Sequence, residues 1–311
     1  MEILCNSIAF LARLYYNIVC NYGELCRRKG LALLMLKLMY ITNNPRVALI
    51  AQKYGVDRIW IDLETLGKED RQGNIDSVKS HHSVNDIKSI APLLTTSEML
   101  VRINPWNAGS KDEIERVIEA GADLIMLPMW KSVEEVNSFI KAVNGRVKTI
   151  LLLETREAAD CLDEVLELGG FDEIHIGLND LHLSYGLTFM FELLTNGVVE
   201  SLCGKIRAKG IPYGFGGVAK IGEGTLPAEK IIAEHYRLGS QRVILSRSFC
   251  DMEKITSLDE VEKLFKENIA SLRNYETYVA NADKSALLKN KEEVRECVRQ
   301  IVASLSEKKV K

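Results

Sequence analysis

Glu154 and Asp180 are the two carboxylates whose setting points most directly to chemistry. The apolar run Thr149–Leu153 ends in Glu154, and a second run, Glu173–Ile176, breaks at Gly177 and leads to Asp180. The segment between them is amphipathic, so the stretch from Lys148 to Gly186 reads as strand, helix, strand. Two apolar strands joined by one helix make a βαβ unit, whose strands lie parallel and share a C-terminal edge. Glu154 and Asp180 then leave neighbouring strands at that edge. Converging carboxylates suit a hard divalent cation, Mg²⁺ or Mn²⁺. Taken singly, each also fits an acidic first helical turn or an Asn-Asp turn. Their pairing at adjacent strand ends favours the metal.

Other strand ends carry further candidates. Asp62 and Glu64 close the run Arg58–Leu63, and Arg102 lies in the run Met99–Ile103. An arginine beside such carboxylates is either held in a structural ion pair with Asp62 or Glu64, or meets an anionic substrate, and both readings stand. After the strand Ile211–Phe215 comes a glycine-rich stretch from Gly214 to Gly224, with Gly214, Gly216 and Gly217 at its start; Ser246 and Arg247 follow the strand Arg242–Leu245. Backbone N–H groups there would cradle a phosphate, or the glycines only permit tight turns. Of five histidines, His81, His82 and His182 stand near strand ends and are candidates for acid–base work; His175 in a strand and His235 in a helix fit packing.

The elements that must position these residues alternate regularly from Met35 onward. Strands are expected at Leu36–Ile41, Arg58–Leu63, Met99–Ile103, Leu124–Leu127, Thr149–Leu153, Glu173–Ile176, Ile211–Phe215 and Arg242–Leu245. Between them lie helical stretches, among them Pro45–Tyr54 behind an Asn44 cap and Lys111–Ala120 behind a Ser110 cap with Glu113 placed for a capping box. A long helical region covers Phe189–Lys209. Eight alternations of apolar strand and helix predict a closed α/β barrel, the (β/α)₈ TIM barrel, with chemistry at its C-terminal face. The barrel domain is expected over 35–255. Residues 1–34, with different composition, read as an N-terminal extension or a leader from a misplaced start. The helices of 256–311 exceed one barrel's need and are candidates for packing in a homo-oligomer.

A chain of 311 residues can bury a large core, and its net charge of −3 offers no electrostatic case for nucleic acid. No apolar run is long enough to span a bilayer, so no membrane partner is expected. Seven cysteines without zinc-ligand spacing read as reduced thiols of a cytoplasmic protein.

Taken in order, VDRIWIDLE (56–64), LVRINP (100–105), GADLIMLPM (121–129), LLLETREAA (151–159) and IGLNDLHLSYG (176–186) resemble the HpcH/HpaI aldolase and citrate lyase β-subunit family. The resemblance spans roughly residues 35 to 250. It implies a (β/α)₈ barrel that makes or breaks a carbon–carbon bond next to a carbonyl with Mg²⁺ or Mn²⁺. By position, Glu154 and Asp180 resemble the family's metal ligands, and Arg102 the arginine at the substrate oxyanion. The implied function is a metal-dependent lyase or aldolase working through an enolate of pyruvate or a related 2-oxo acid. Alternatives are a phosphoenolpyruvate- or phosphosugar-using enzyme of the same superfamily, or a non-catalytic metal–carboxylate-binding barrel. The family's pyruvate aldolases carry Asp-x-Glu-His after the second strand, where this chain reads Asp62-Leu63-Glu64-Thr65. The citrate lyase pattern, Asp-Leu-Glu-Asp with a later Lys and Arg, is matched by Asp62, Leu63, Glu64, Lys68 and Arg71 but not by Thr65. The base is then metal-bound water, Glu64, His81 or His82.

Overall fold

Eight parallel strands close on themselves in chain order: β1 (Lys37–Ile41), β2 (Arg58–Asp62), β3 (Glu98–Arg102), β4 (Leu124–Leu127), β5 (Lys148–Leu153), β6 (Glu173–Ile176), β7 (Tyr213–Val218) and β8 (Arg242–Leu245). The structure, a computed structural model, describes residues 35–67, 82–250, 255 and 257–310. The expectations for residues 1–34, Lys68, Arg71 and His81 lie outside them.

Strand side chains alternate between faces. Inward, Met39, Trp60, Leu100, Leu124, Met126, Ile150 and Leu152 fill the barrel as one apolar cluster. Outward, Ile59, Ile61, Val101, Ile125, Leu151 and Leu153 join a larger core beneath the helices. Each such buried aliphatic side chain contributes roughly 1.5–3 kcal/mol, so strands apolar on both faces are what a covered parallel sheet needs.

Below the apolar layer the barrel is closed by ions. Arg58 of β2 donates two bonds to Glu173 of β6, at 2.7 and 2.8 Å, and Arg242 of β8 donates two more at the same distances. Since β2 and β6 are not neighbours, these bonds cross the barrel interior. Glu98 accepts from Arg58 at 3.0 Å and pairs with Lys148 at 2.5 Å. Burial alone would raise the Glu173 carboxyl, but its two arginines outweigh that and hold it down at about 2. Three cations thus meet two carboxylates in this layer.

The helices run α1 (Pro45–Lys53), α2 (Val84–Ile90), α3 (Ser110–Glu119), α4 (Val133–Val143), α5 (Arg156–Asp160), α6 (Leu162–Leu168), α7 (Leu178–Ser184), α8 (Glu192–Thr195), α9 (Val198–Ala208), α10 (Ala228–Leu238), α11 (Leu258–Ala280) and α12 (Lys284–Val310). Asn44 caps α1 as expected, its side chain accepting from the Arg46 and Val47 N–H groups. The long helix over Phe189–Lys209 is broken, because Gly197 takes φ 90° and separates α8 from α9. The Ser110 capping box is also corrected. Ser110 lies inside α3, its hydroxyl accepting from the Asn107 N–H at 2.8 Å, and Glu113 turns to Asn104 instead.

The expected C-terminal helices beyond the last strand are present. Helix α11 packs between α1 and α10, the place of the eighth barrel helix, while α12 lies outside against α10 and α8. Glu276 of α11 is fully buried and accepts from the Leu36 N–H at 2.7 Å, which ties the start of β1 to this helix. Among the described residues, no helix is long and apolar enough to cross a membrane.

Candidate active site

The register of β2 on β3 sets Asp62 beside Arg102 at the C-terminal face. Arg102 donates from Nε to Oδ1 and from Nη2 to Oδ2 of Asp62, both at 2.8 Å, and Nη2 lies 3.2 Å from Glu64. Its guanidinium also stands 5.4 Å over the Trp60 ring. Burial opposes the charge on Arg102, but Asp62 and Glu64 outweigh it and keep its pKa above the ordinary arginine value. Both sequence readings of Arg102 remain compatible with this geometry. Asp62 takes the Nε–Nη2 edge of the fork.

The loop that carries Glu64 is held by a residue the sequence reading passed over. Asn104 Oδ1 accepts from Thr65 N–H at 2.9 Å, from Leu66 N–H at 3.0 Å and from the Thr65 hydroxyl at 3.2 Å. Its amide nitrogen donates to Glu113 Oε1 at 2.8 Å, which leaves the amide oxygen facing the loop. Asn-Pro after a strand is visible in the sequence as a turn signal, but its partner 39 residues away is not. His82 sits at the same place: its Nδ1 accepts from the Asp62 N–H at 3.0 Å. That bond assigns the proton of neutral His82 to Nε2.

Glu154 and Asp180 meet where the sequence placed them, at the ends of β5 and β6. Glu154 is buried, and its Oε1 accepts from the Met129 N–H at 3.1 Å. Thr155 caps α5, accepting from the Ala158 N–H and donating to the Trp130 carbonyl at 2.8 Å. Asp180 lies in the first turn of α7. Both carboxylates line a cavity of about 240 Å³ with Met129, Lys131 and Thr155. Burial pushes the Glu154 carboxyl well above the usual carboxylate range; Arg102 opposes this, and the charges of Asp180 and Glu64 add to it. Lys131, more than half exposed, is directed at Glu157, 3.9 Å away.

Among the described residues, no group of three or more His, Cys, Asp or Glu side chains converges as a ready cation cage. A small hard cation does not require one, since Mg²⁺ commonly binds through one or two carboxylates plus water and substrate oxygens. The donor chemistry fits such an ion. Glu154 and Asp180 line the same cavity, as two carboxylates converging on one ion would.

The glycine stretch is placed differently from the expectation. Strand β7 runs on to Val218, with a bulge against β8 between Gly214 and Gly217, so these glycines are strand rather than loop. A Cβ on Gly214 would stand 2.4 Å from the Arg242 carbonyl oxygen, and Gly216 takes φ 52°. Close packing and the bulge account for both. Ser246 pairs its hydroxyl with Ser248 at 2.8 Å, and Arg247 is exposed just beyond β8. His182 is buried in α7 with Nδ1 against the Asn179 carbonyl. His175 and His235 take packing roles: His175 Nε2 meets the Gly216 carbonyl at 3.2 Å, and His235 stacks on Phe215 at 3.8 Å.

Comparison with known proteins places these observations. The HpcH/HpaI aldolase/citrate lyase family matches residues 37–195, just over half of the chain. A hydroxypyruvate/pyruvate aldolase from Roseovarius nubinhibens is 26% identical over 147 residues, covering 35% of this chain and 55% of that protein. A 2-keto-3-deoxy-L-rhamnonate aldolase from Escherichia coli K12 is 26% identical over 142 residues, 36% of this chain and 53% of that protein. The chain thus spans about half the length of the curated relatives it matches. Among solved structures, an HpcH/HpaI aldolase from Desulfitobacterium hafniense superposes with TM-score 0.55 at 16% identity, over 70% of this chain and 89% of that one. The citrate synthase SbnG superposes with TM-score 0.53 at 16% identity, over 78% and 94%. At those identities the likeness speaks for the fold alone.

Proposed function

The chain belongs to the HpcH/HpaI aldolase/citrate lyase family, and from that membership we propose that it is a divalent-metal-dependent carbon–carbon lyase or aldolase acting through the enolate of a 2-oxo acid such as pyruvate. The observation that carries the reading is that Glu154 and Asp180 line one cavity at the C-terminal face, the face on which Arg102 also stands. Glu154 and Asp180 would hold Mg²⁺ or Mn²⁺. A bound ion of this kind supplies Lewis acidity to the carboxylate and keto oxygens of the substrate.

The chain's own groups do the rest. Arg102 presents positive charge where the enolate oxygen becomes negative, and Asp62 prevents it from turning away. Trp60 and the apolar layer beneath exclude water from below. Glu64 is the candidate proton acceptor among the described residues of this face, the Nδ1 lone pair of His82 being occupied by the Asp62 N–H. Thr65 stands at the position of the family histidine, and both its N–H and its hydroxyl are directed to Asn104.

That substitution favours one second reading, a barrel that binds metal and 2-oxo acid without turnover. Proton exchange distinguishes the two. With Mn²⁺ or Mg²⁺ in D₂O, the enzyme reading expects deuterium to enter the methyl group of pyruvate at a rate that EDTA abolishes. Binding of pyruvate without exchange would establish the non-catalytic alternative.

A further inference from the structure

The pairing of β5 with β6 sets Leu153 opposite Ile176, so the next residues, Glu154 and Gly177, lie side by side facing the barrel mouth. Gly177 adopts φ −82° and ψ 90°, a conformation with no need of glycine. The space around it is another matter. A Cβ at this position would stand 2.8 Å from Glu154 Oε2, 2.9 Å from Glu154 Cβ and 3.3 Å from Leu152 Cδ1. The carboxylate oxygen could swing away from such a Cβ, but the Cβ of Glu154 could move only with β5 itself. On the other side, Met129 takes φ 53°, uncommon outside glycine, and in that turn its N–H meets Glu154 Oε1 at 3.1 Å. One oxygen of Glu154 is therefore held by the backbone after β4, and the other lies over the bare backbone after β6.

We infer that Gly177 is a positioning residue, whose missing side chain reserves the volume in which the Glu154 carboxylate stands. The inference rests on the reading of Glu154 as a metal-binding carboxylate. It explains why the residue directly after β6 is glycine although its backbone conformation does not demand one. A methyl group there displaces Glu154 from Met129 and parts it from Asp180.

Gly177→Ala tests this, with Mn²⁺ as the probe. Titration followed by calorimetry or by electron paramagnetic resonance should show binding weakened at least tenfold, in the range typical of groups that orient metal-binding side chains. Melting temperatures of the metal-free proteins supply a second measurement: Gly177→Ala should lower the melting temperature when Glu154 is present and leave it unchanged in a Glu154→Gly background. Should Gly177→Ala fail to fold, recovery of folding in the double variant supports the same conclusion. Wild-type Mn²⁺ affinity in folded Gly177→Ala, or an equal melting loss in both backgrounds, overturns the inference. Unchanged Mn²⁺ affinity in Glu154→Gln would instead overturn the metal reading, while the melting comparison still reports on Gly177.

Discussion

Arg102 and Asp62 form a two-point ion pair across the β2–β3 register, with both bonds at 2.8 Å. The pair is nearly buried, at 12% and 3% side-chain exposure, so it orients the guanidinium as well as neutralising it. A lysine cannot reproduce the planar fork. Arg102→Lys should reduce metal-dependent pyruvate exchange by roughly 100-fold or more, on the scale of losing a preorganised oxyanion donor. Arg102→Ala should also cost about 3–5 kcal/mol in urea unfolding, because it takes the guanidinium away from the buried Asp62 carboxylate. Full exchange activity in Arg102→Lys would contradict a substrate role.

Glu154→Gln and Asp180→Asn each remove one charge from the same cavity, so each should weaken Mn²⁺ binding and abolish exchange. Their effect on metal-free stability has a definite sign for Glu154. Its folded-state pKa lies above the ordinary value, so its ionised form costs stability as pH rises. Glu154→Gln should therefore melt higher than the parent protein at neutral pH in EDTA, and the difference should shrink when Mn²⁺ is added. Thermal melts with and without metal check both halves.

Asn104→Ala removes the single acceptor shared by Thr65 and Leu66. Hydrogen exchange at those two amides should accelerate, and pyruvate exchange should fall about tenfold or more as Glu64 loses its setting. Mn²⁺ affinity should stay at the parent value. Slowed chemistry together with weakened metal binding would mean that Asn104 supports the whole face rather than the loop.

Acid stability should be governed from inside the barrel. Burial lowers His175 from the ordinary 6.5 to about 4 and His235 to about 3. Between the unfolded and folded values the unfolded chain binds more protons, so stability falls as pH drops from 6.5 towards those values. Glu173, held down at about 2 from 4.5, adds a loss that begins below 4.5 and continues as pH falls through 2. His175→Gln should flatten the dependence of melting temperature on pH between 6.5 and 4. Glu173→Gln, which leaves Arg58 and Arg242 without their shared carboxylate, should cost about 3–5 kcal/mol at neutral pH and spare Mn²⁺ affinity.

By itself the sequence determined the order of eight strands, the barrel they make and the face that gathers Asp62, Glu64, Arg102, Glu154 and Asp180. Those features follow from local patterns: an apolar run of strand length, a polar residue where it ends, and the rule that parallel βαβ strands share one C-terminal edge. Closure of the barrel decided the rest. Glu173 finds Arg58 at a separation of 115 residues and Arg242 at 69, because side chains from unlike strands meet only once the sheet has curled round. Asn104 reaches Thr65, and α11 takes the eighth helical place, for the same reason. The glycines of β7 read as a loop in the sequence because their need is set by neighbours, Arg242 beside Gly214 and Leu178 beside Gly216, which no local pattern names. Gly177 shows the division within one residue: its position at the end of β6 is legible in the sequence, and its contact with Glu154 exists only through strand register.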